Sequence, residues 1–109
     1  MVAIVPASDL EASRAFYERL GFAATAVYPQ EGYYILHDRG DATLHLTRVE
    51  AASLDPKRNV HGLYFYSEEV DELAERFATR AEPKPWGMRE FAISDPDGTL
   101  VRVGCPMSE

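Results

Sequence analysis

The chain has 109 residues, 46% hydrophobic and 27% charged, with seven Gly, seven Pro and one Cys. That is enough for one packed domain and too little for two, and it rules out an internal disulfide or a multi-cysteine zinc site. Eleven basic against eighteen acidic side chains give a formal charge of -7; with no Lys/Arg cluster to neutralise phosphates, nucleic acid is not an expected partner.

No stretch reaches the roughly 18 apolar residues of a membrane span. Residues 1–6 are apolar but lack a basic lead and a small-residue cleavage site, so a cytoplasmic address is expected rather than export. The acidic balance would concentrate a cationic small molecule, although it serves equally to keep molecules apart in solution.

Taken in chain order, residues 1–6 read as a strand that ends near Pro6, which has no amide hydrogen to donate and so must lie at a strand end, an edge or a bulge. Ser8 followed by Glu11 has the spacing of a capping box. Leu10, Ser13, Phe16, Tyr17 and Leu20 then recur on one helical face until Gly21, which predicts a helix over 8–20. Residues 22–28, 33–37 and 43–49 read as strands, with turn chemistry at 29–32 and 38–41.

After a polar stretch at 51–59 the pattern restarts. Residues 60–66 form an apolar run, and Ser67 is placed to cap a helix with Glu68 and Glu69 in its first turn and Val70, Leu73, Phe77 and Ala81 along its buried stripe. A short strand is expected at 83–86. Residues 89–94 and 99–104 then form a hairpin around Asp95-Pro96-Asp97-Gly98.

The order β-α-β-β-β thus occurs twice, and the halves align so that His45 falls on Arg102. The expected class is α+β, a single domain over 1–109 made of paired βαβββ modules at about 1–50 and 59–105. Helices covering one sheet face leave the other to curl into a trough. Side chains out of phase with Leu44, Leu46, Val101 and Val103 would line it, namely His45 and Arg102, with His61 at the start of the equivalent strand.

Three segments carry a family resemblance. They are Lys84-Pro85-Trp86-Gly87-Met88-Arg89-Glu90-Phe91-Ala92-Ile93 running into Asp95-Pro96-Asp97-Gly98-Thr99-Leu100; Val5-Pro6-Ala7-Ser8-Asp9-Leu10-Glu11-Ala12 with Phe16-Tyr17-Glu18-Arg19-Leu20-Gly21-Phe22; and Glu69-Val70-Asp71-Glu72-Leu73. Through them the chain resembles the vicinal-oxygen-chelate superfamily (glyoxalases, bleomycin-resistance proteins and dioxygenases), and within it most closely the bleomycin-resistance, or bleomycin-binding, branch. The resemblance implies a curved trough built from paired modules, usually completed in a homodimer.

Enzymes of the superfamily hold a divalent metal with His, Gln and Glu from four equivalent strand positions, which fall here at about Val2, His45, His61 and Arg102. Valine cannot ligate and arginine repels a cation, so no metal and no cofactor are expected. With no nucleophile and base in reach of one another, no catalytic residue is expected either, and Cys105 has no histidine placed beside it.

The expected ligand set is Trp86, Gly87, His45, His61, Phe65, Arg102, Tyr28 and Tyr33. Trp86, between Pro85 and Gly87, is a platform for planar rings or an anchor of a subunit interface. Arg102 pairs with a carboxylate or donates to ligand oxygens. His37 reads as exposed, Phe91 as core, and Asp38, Asp41 and Asp97 as turn residues before rim residues. The expected function is metal-free sequestration of a bleomycin-type cationic glycopeptide, conferring resistance. The alternatives are a metal-dependent enzyme of glyoxalase or dioxygenase type, and a binder of another flat aromatic metabolite.

Overall fold

The structure, a computed structural model, describes residues 2–40, 42–50, 55, 57, 59 and 61–107. The expectations for Met1, Asp41 and Val60, and most of those for the polar stretch, lie outside the described residues.

Strand β1 (Val2–Ala7) leads into α1 (Leu10–Arg19), followed by β2 (Ala23–Tyr28), β3 (Tyr33–His37) and β4 (Thr43–Arg48). The second set is β5 (Gly62–Tyr66), α2 (Val70–Arg76), β6 (Glu82–Pro83), β7 (Met88–Ser94) and β8 (Leu100–Pro106). Each set forms a four-stranded mixed sheet, ordered β1-β4-β3-β2 and β5-β8-β7-β6. The first and last-formed strands of each set, β1 with β4 and β5 with β8, run parallel, and the remaining pairs are antiparallel.

Pro6 lies one residue from the end of β1, on an edge strand, so its missing N–H faces no neighbour and the strand closes at Ala7. The cap of α1 is corrected. Asp9, not Ser8, accepts the orphan amides of Glu11 and Ala12, each at 3.1 Å. Ser8 gives its amide and hydroxyl instead to the buried Asp97, at 3.0 and 2.5 Å.

Helix α2 is shorter than its apolar stripe suggests. It starts at Val70 and gives way at Phe77, and Ala78 takes a left-handed φ of 54°. Ser67 accepts the Glu69 amide at 3.1 Å in the turn ahead of the helix rather than capping it. Ala81 is buried beyond the helix, at the foot of β6.

One core joins the two sets. Val5, Ala7, Leu36, Leu44 and Leu46 from the first sheet and Phe91, Val101 and Val103 from the second are buried together with Leu10, Tyr17, Val70 and Leu73 from the helices. Phe16 meets Phe77 at 5.3 Å and Phe22 meets Phe65 at 5.4 Å, bringing rings from both sets into contact.

Polar ties reinforce the join. Tyr17 donates to Asp95 at 2.7 Å, and the other Asp95 oxygen accepts the amides of Asp97 and Thr99, each at 2.9 Å. Burial pushes the Asp95 carboxyl upward, against the downward pull of those hydrogen bonds. Asp97 is buried and bonded to Ser8, so it is a turn residue and clamp, not part of an acidic rim.

Candidate functional site: the two outer sheet faces

Because the core takes one face of each sheet, alternation sends the other residues away from it. On the first sheet the outer face carries Ile4, Ile35, Tyr33, His45 and Tyr28. Ile4 is level with His45, Ile35 with His45, and Tyr28 with Tyr33. Tyr33 hydrogen-bonds His45 Nδ1 and lies edge-on to its ring at 5.1 Å, while Tyr28 stacks on Tyr33 at 6.5 Å. Three of the expected ligand residues, Tyr28, Tyr33 and His45, are therefore one aromatic cluster.

On the second sheet the outer face carries Tyr64 and Tyr66 of β5, Arg102 and Gly104 of β8, Met88, Glu90 and Ala92 of β7, and Glu82 of β6. Lys84 and Met88 close a three-residue loop, 85–87, with Gly87 at φ 84°. Gly87 spends its amide on the Lys84 carbonyl at 3.1 Å and its own carbonyl on the Met107 amide at 2.9 Å. Its role is to turn the chain so that Trp86, 61% exposed, stands over the sheet.

Glu90 organises this face. The Tyr64 hydroxyl donates to its Oε2 at 2.6 Å, and the indole Nε1 of Trp86 donates to the same oxygen at 3.4 Å. Tyr64 reaches Glu90 by passing over Gly104, where a Cβ would overlap the tyrosine hydroxyl. Burial first, then the hydrogen bond and negative charge of Glu90, push the Tyr64 hydroxyl up to about 12.

Tyr64 and Glu90 were missed in the sequence, and Phe65 was read one step out of phase. Phe65 is level with Val103 and turns toward Phe22, lining the crevice between the sheets instead of the trough. The run Gly62-Leu63-Tyr64-Phe65-Tyr66 hides its alternation because nearly every position is apolar or aromatic. The signal was available in the partner strand, since Arg102 faces out and Tyr64 is its neighbour.

His61 is corrected as well. It sits one residue before β5, exposed, with Nδ1 2.8 Å from Asn59 Oδ1, and it does not share a rung with Arg102. Val2 is level with Thr43, not His45. The four equivalent positions are thus Ile4, His45, Tyr64 and Arg102, which offer one imidazole beside an aliphatic chain, a phenol engaged by Glu90 and a guanidinium. That donor set does not fit the divalent metal of the superfamily's enzymes. Among the described residues no group of three or more His, Cys, Asp and Glu is arranged to hold a metal. Arg102 is exposed and makes no ion pair among the described residues.

Two mixed sheets of equivalent order, β1-β4-β3-β2 and β5-β8-β7-β6, each backed by a helix and open on its outer face, are the architecture of the glyoxalase and bleomycin-resistance fold. The chain belongs to the Glyoxalase/Bleomycin resistance protein/Dioxygenase superfamily, whose family model matches residues 2–103. It is similar to a bleomycin resistance protein of Klebsiella pneumoniae, with 31% identity covering 91% of this chain and 86% of that one. Among solved structures it resembles a bleomycin-binding protein crystallised with bleomycin, at 26% identity and TM-score 0.80 over 98% of both chains. It also resembles a lactoylglutathione lyase of Agrobacterium tumefaciens, at 27% identity and TM-score 0.72, covering 96% of this chain and 91% of that one.

Proposed function

We propose that this chain is a metal-free binding protein that sequesters a bleomycin-type glycopeptide antibiotic inside the cell and so confers resistance. The observation that carries the reading is the outer face of the second sheet, where Trp86 is exposed yet held at its Nε1 by a buried carboxylate. A fixed, open indole is a stacking surface for planar rings. The likeness to a bleomycin resistance protein and to a structure containing bleomycin supports that ligand class. The mechanism is stoichiometric: flat rings stack on Trp86 and the neighbouring tyrosines, positive groups meet the acidic surface, and the drug is removed without a bond being made or broken.

A homodimer belongs to the same reading. Ile4 is 70% exposed and Tyr66 67%, on the outer faces of different sheets, so each face is half of a trough that a second copy would complete. The two aromatic clusters, Tyr28–Tyr33–His45 and Tyr64–Trp86–Arg102, would then line one pocket from two subunits.

The lyase likeness favours a second reading, a metal-dependent enzyme that uses His45 with a partner's side chains. Titration of the protein with bleomycin, followed by recovery of the drug and elemental analysis of protein purified without chelator, separates the two. Saturable binding with intact drug and far less than one metal per chain supports sequestration; stoichiometric metal lost on His45→Ala supports the enzyme.

A further inference from the structure

Away from the outer faces, a crevice opens between the two modules where the turn from β3 to β4 meets α2. It has an outer chamber of about 590 Å³ and an inner one of about 370 Å³, and the two share Phe22, Asp38, Gly40 and Phe65 as walls. Both volumes fall in the range of sites that hold small molecules.

The inner chamber reaches the core. Phe22 and Leu44 are buried core residues, and Leu63, Phe65 and Ala42 pack against the same core from partly buried positions. The rings of Phe22 and Phe65 meet edge to face at 5.4 Å. Small residues leave the room. Ala3 lies level with Leu44 on the neighbouring strand, Ala42 precedes β4, and a Cβ added at Gly40 would meet only the Asp38 carboxylate, at 3.6 Å. Core side chains facing such a gap lack the contacts that packing normally supplies, and a flat apolar molecule seated there restores them.

Polarity is confined to the neck and the mouth. Asp38 Oδ1 accepts the amides of Gly40 and Ala42 at 2.8 and 3.1 Å, which fixes the carboxylate, while Oδ2 accepts no hydrogen bond among the described residues. At the mouth Arg39 pairs with Glu69 at 3.7 Å and Arg76 with Glu72 at 3.9 Å, so both guanidiniums are engaged. Glu18, Asp38, Glu68 and Glu69 outnumber those two arginines in the wall and oppose an anion. A cation would have to leave water for an apolar chamber with a single carboxylate at its edge, which costs more than that one contact returns.

We propose that this crevice is a second binding site, for an uncharged molecule with a flat aromatic body and one hydroxyl or amide N–H donor. The body enters between Phe22, Phe65, Leu44 and Leu63, and the donor bonds Asp38 Oδ2. The walls are turn and inner-face residues for the most part, so the site is separate from Trp86 and stands or falls independently of the antibiotic reading.

The test follows backbone amide and indole NMR signals while four probes are titrated at neutral pH: naphthol, methoxynaphthalene, naphthoate and naphthylmethylammonium. Naphthol is expected to saturate, shifting the amides of Gly40, Ala42 and Phe65 and leaving the Trp86 indole unmoved. Methoxynaphthalene, which lacks the donor, should bind roughly tenfold more weakly, and the anion and the cation more weakly still. Asp38→Asn keeps an acceptor for the two turn amides but places an amino group where Oδ2 stood, so naphthol should fall to the level of methoxynaphthalene.

Equal affinity for naphthol and methoxynaphthalene would overturn the proposal, as would tightest binding of the cation or shifts centred on Trp86 and Tyr64. Absence of saturable binding of naphthol would overturn it outright. Should Asp38→Asn fail to fold, the ratio of the two neutral probes on the wild-type protein decides.

Discussion

Tyr64 shows how much of this site depends on single atoms. Its hydroxyl reaches Glu90 only because residue 104 has no side chain, and the resulting bond both holds a ring of the proposed binding face and fixes the carboxylate that orients Trp86. Gly104→Ala is therefore expected to displace Tyr64, destabilising the fold by about 1 to 3 kcal/mol and weakening ligand binding. Chemical denaturation and titration of the same sample check this, and an unchanged denaturation midpoint would contradict it. The hydroxyl also gives a pH signature. Folding holds Tyr64 protonated, so its contribution is intact below the ordinary tyrosine value of 10.0 and is lost as pH rises through about 12. Glu90→Gln should bring the tyrosinate absorbance transition of Tyr64 down toward the ordinary range. An unmoved transition would show that Glu90 does not govern it.

Strands and helices were mostly legible in the sequence, and the exceptions share a cause. The turns between strands, the hairpin at 89–104 and the first helix, expected over 8–20 and found over 10–19, follow from period and turn chemistry, whereas the parallel pairing of β1 with β4 and of β5 with β8 is seen only in the structure. Where several residues could satisfy the same backbone group, or where every residue in a run was apolar, local rules did not choose. Ser8 and Asp9 compete for the cap of α1, and the long-range partner Asp97 takes Ser8, leaving Asp9 to the helix. In β5 the all-apolar run concealed which of Tyr64 and Phe65 faces out, so the outer faces were only half legible: Trp86, Tyr28, Tyr33, His45 and Arg102 were expected on them and lie there, while Tyr64, Tyr66, Glu82 and Glu90 were not read. The Asp95–Asp97 turn belongs to this scale because it ties the second hairpin to α1 and to the chain's first turn. Tyr17→Phe removes the donor to a buried Asp95 oxygen, and is expected to cost about 1 to 3 kcal/mol. Thermal unfolding by calorimetry measures it, and a loss within error of zero would show that water replaces the hydroxyl.

For the whole molecule, the single core and the two open faces describe a chain that is internally complete but externally half-covered. The helices and the inner faces of both sheets bury one another, whereas the aromatic outer faces are left to solvent. Light scattering is expected to report twice the 12.2 kDa chain mass, and Trp86→Ala to retain that mass while losing about 1 to 3 kcal/mol of ligand binding, by analogy with base stacking on aromatic side chains. Retained affinity with dissociation into monomers would assign Trp86 to assembly instead.

The central claim is binding without turnover, and it is tested most directly by titrating bleomycin into the protein while following Trp86 emission, the sole indole of the chain, and then recovering the drug for mass spectrometry. The account predicts a saturable change that ends at one drug molecule per chain, with the recovered drug of unaltered mass. A drug modified in excess of the protein present, or an emission that never saturates, would contradict it.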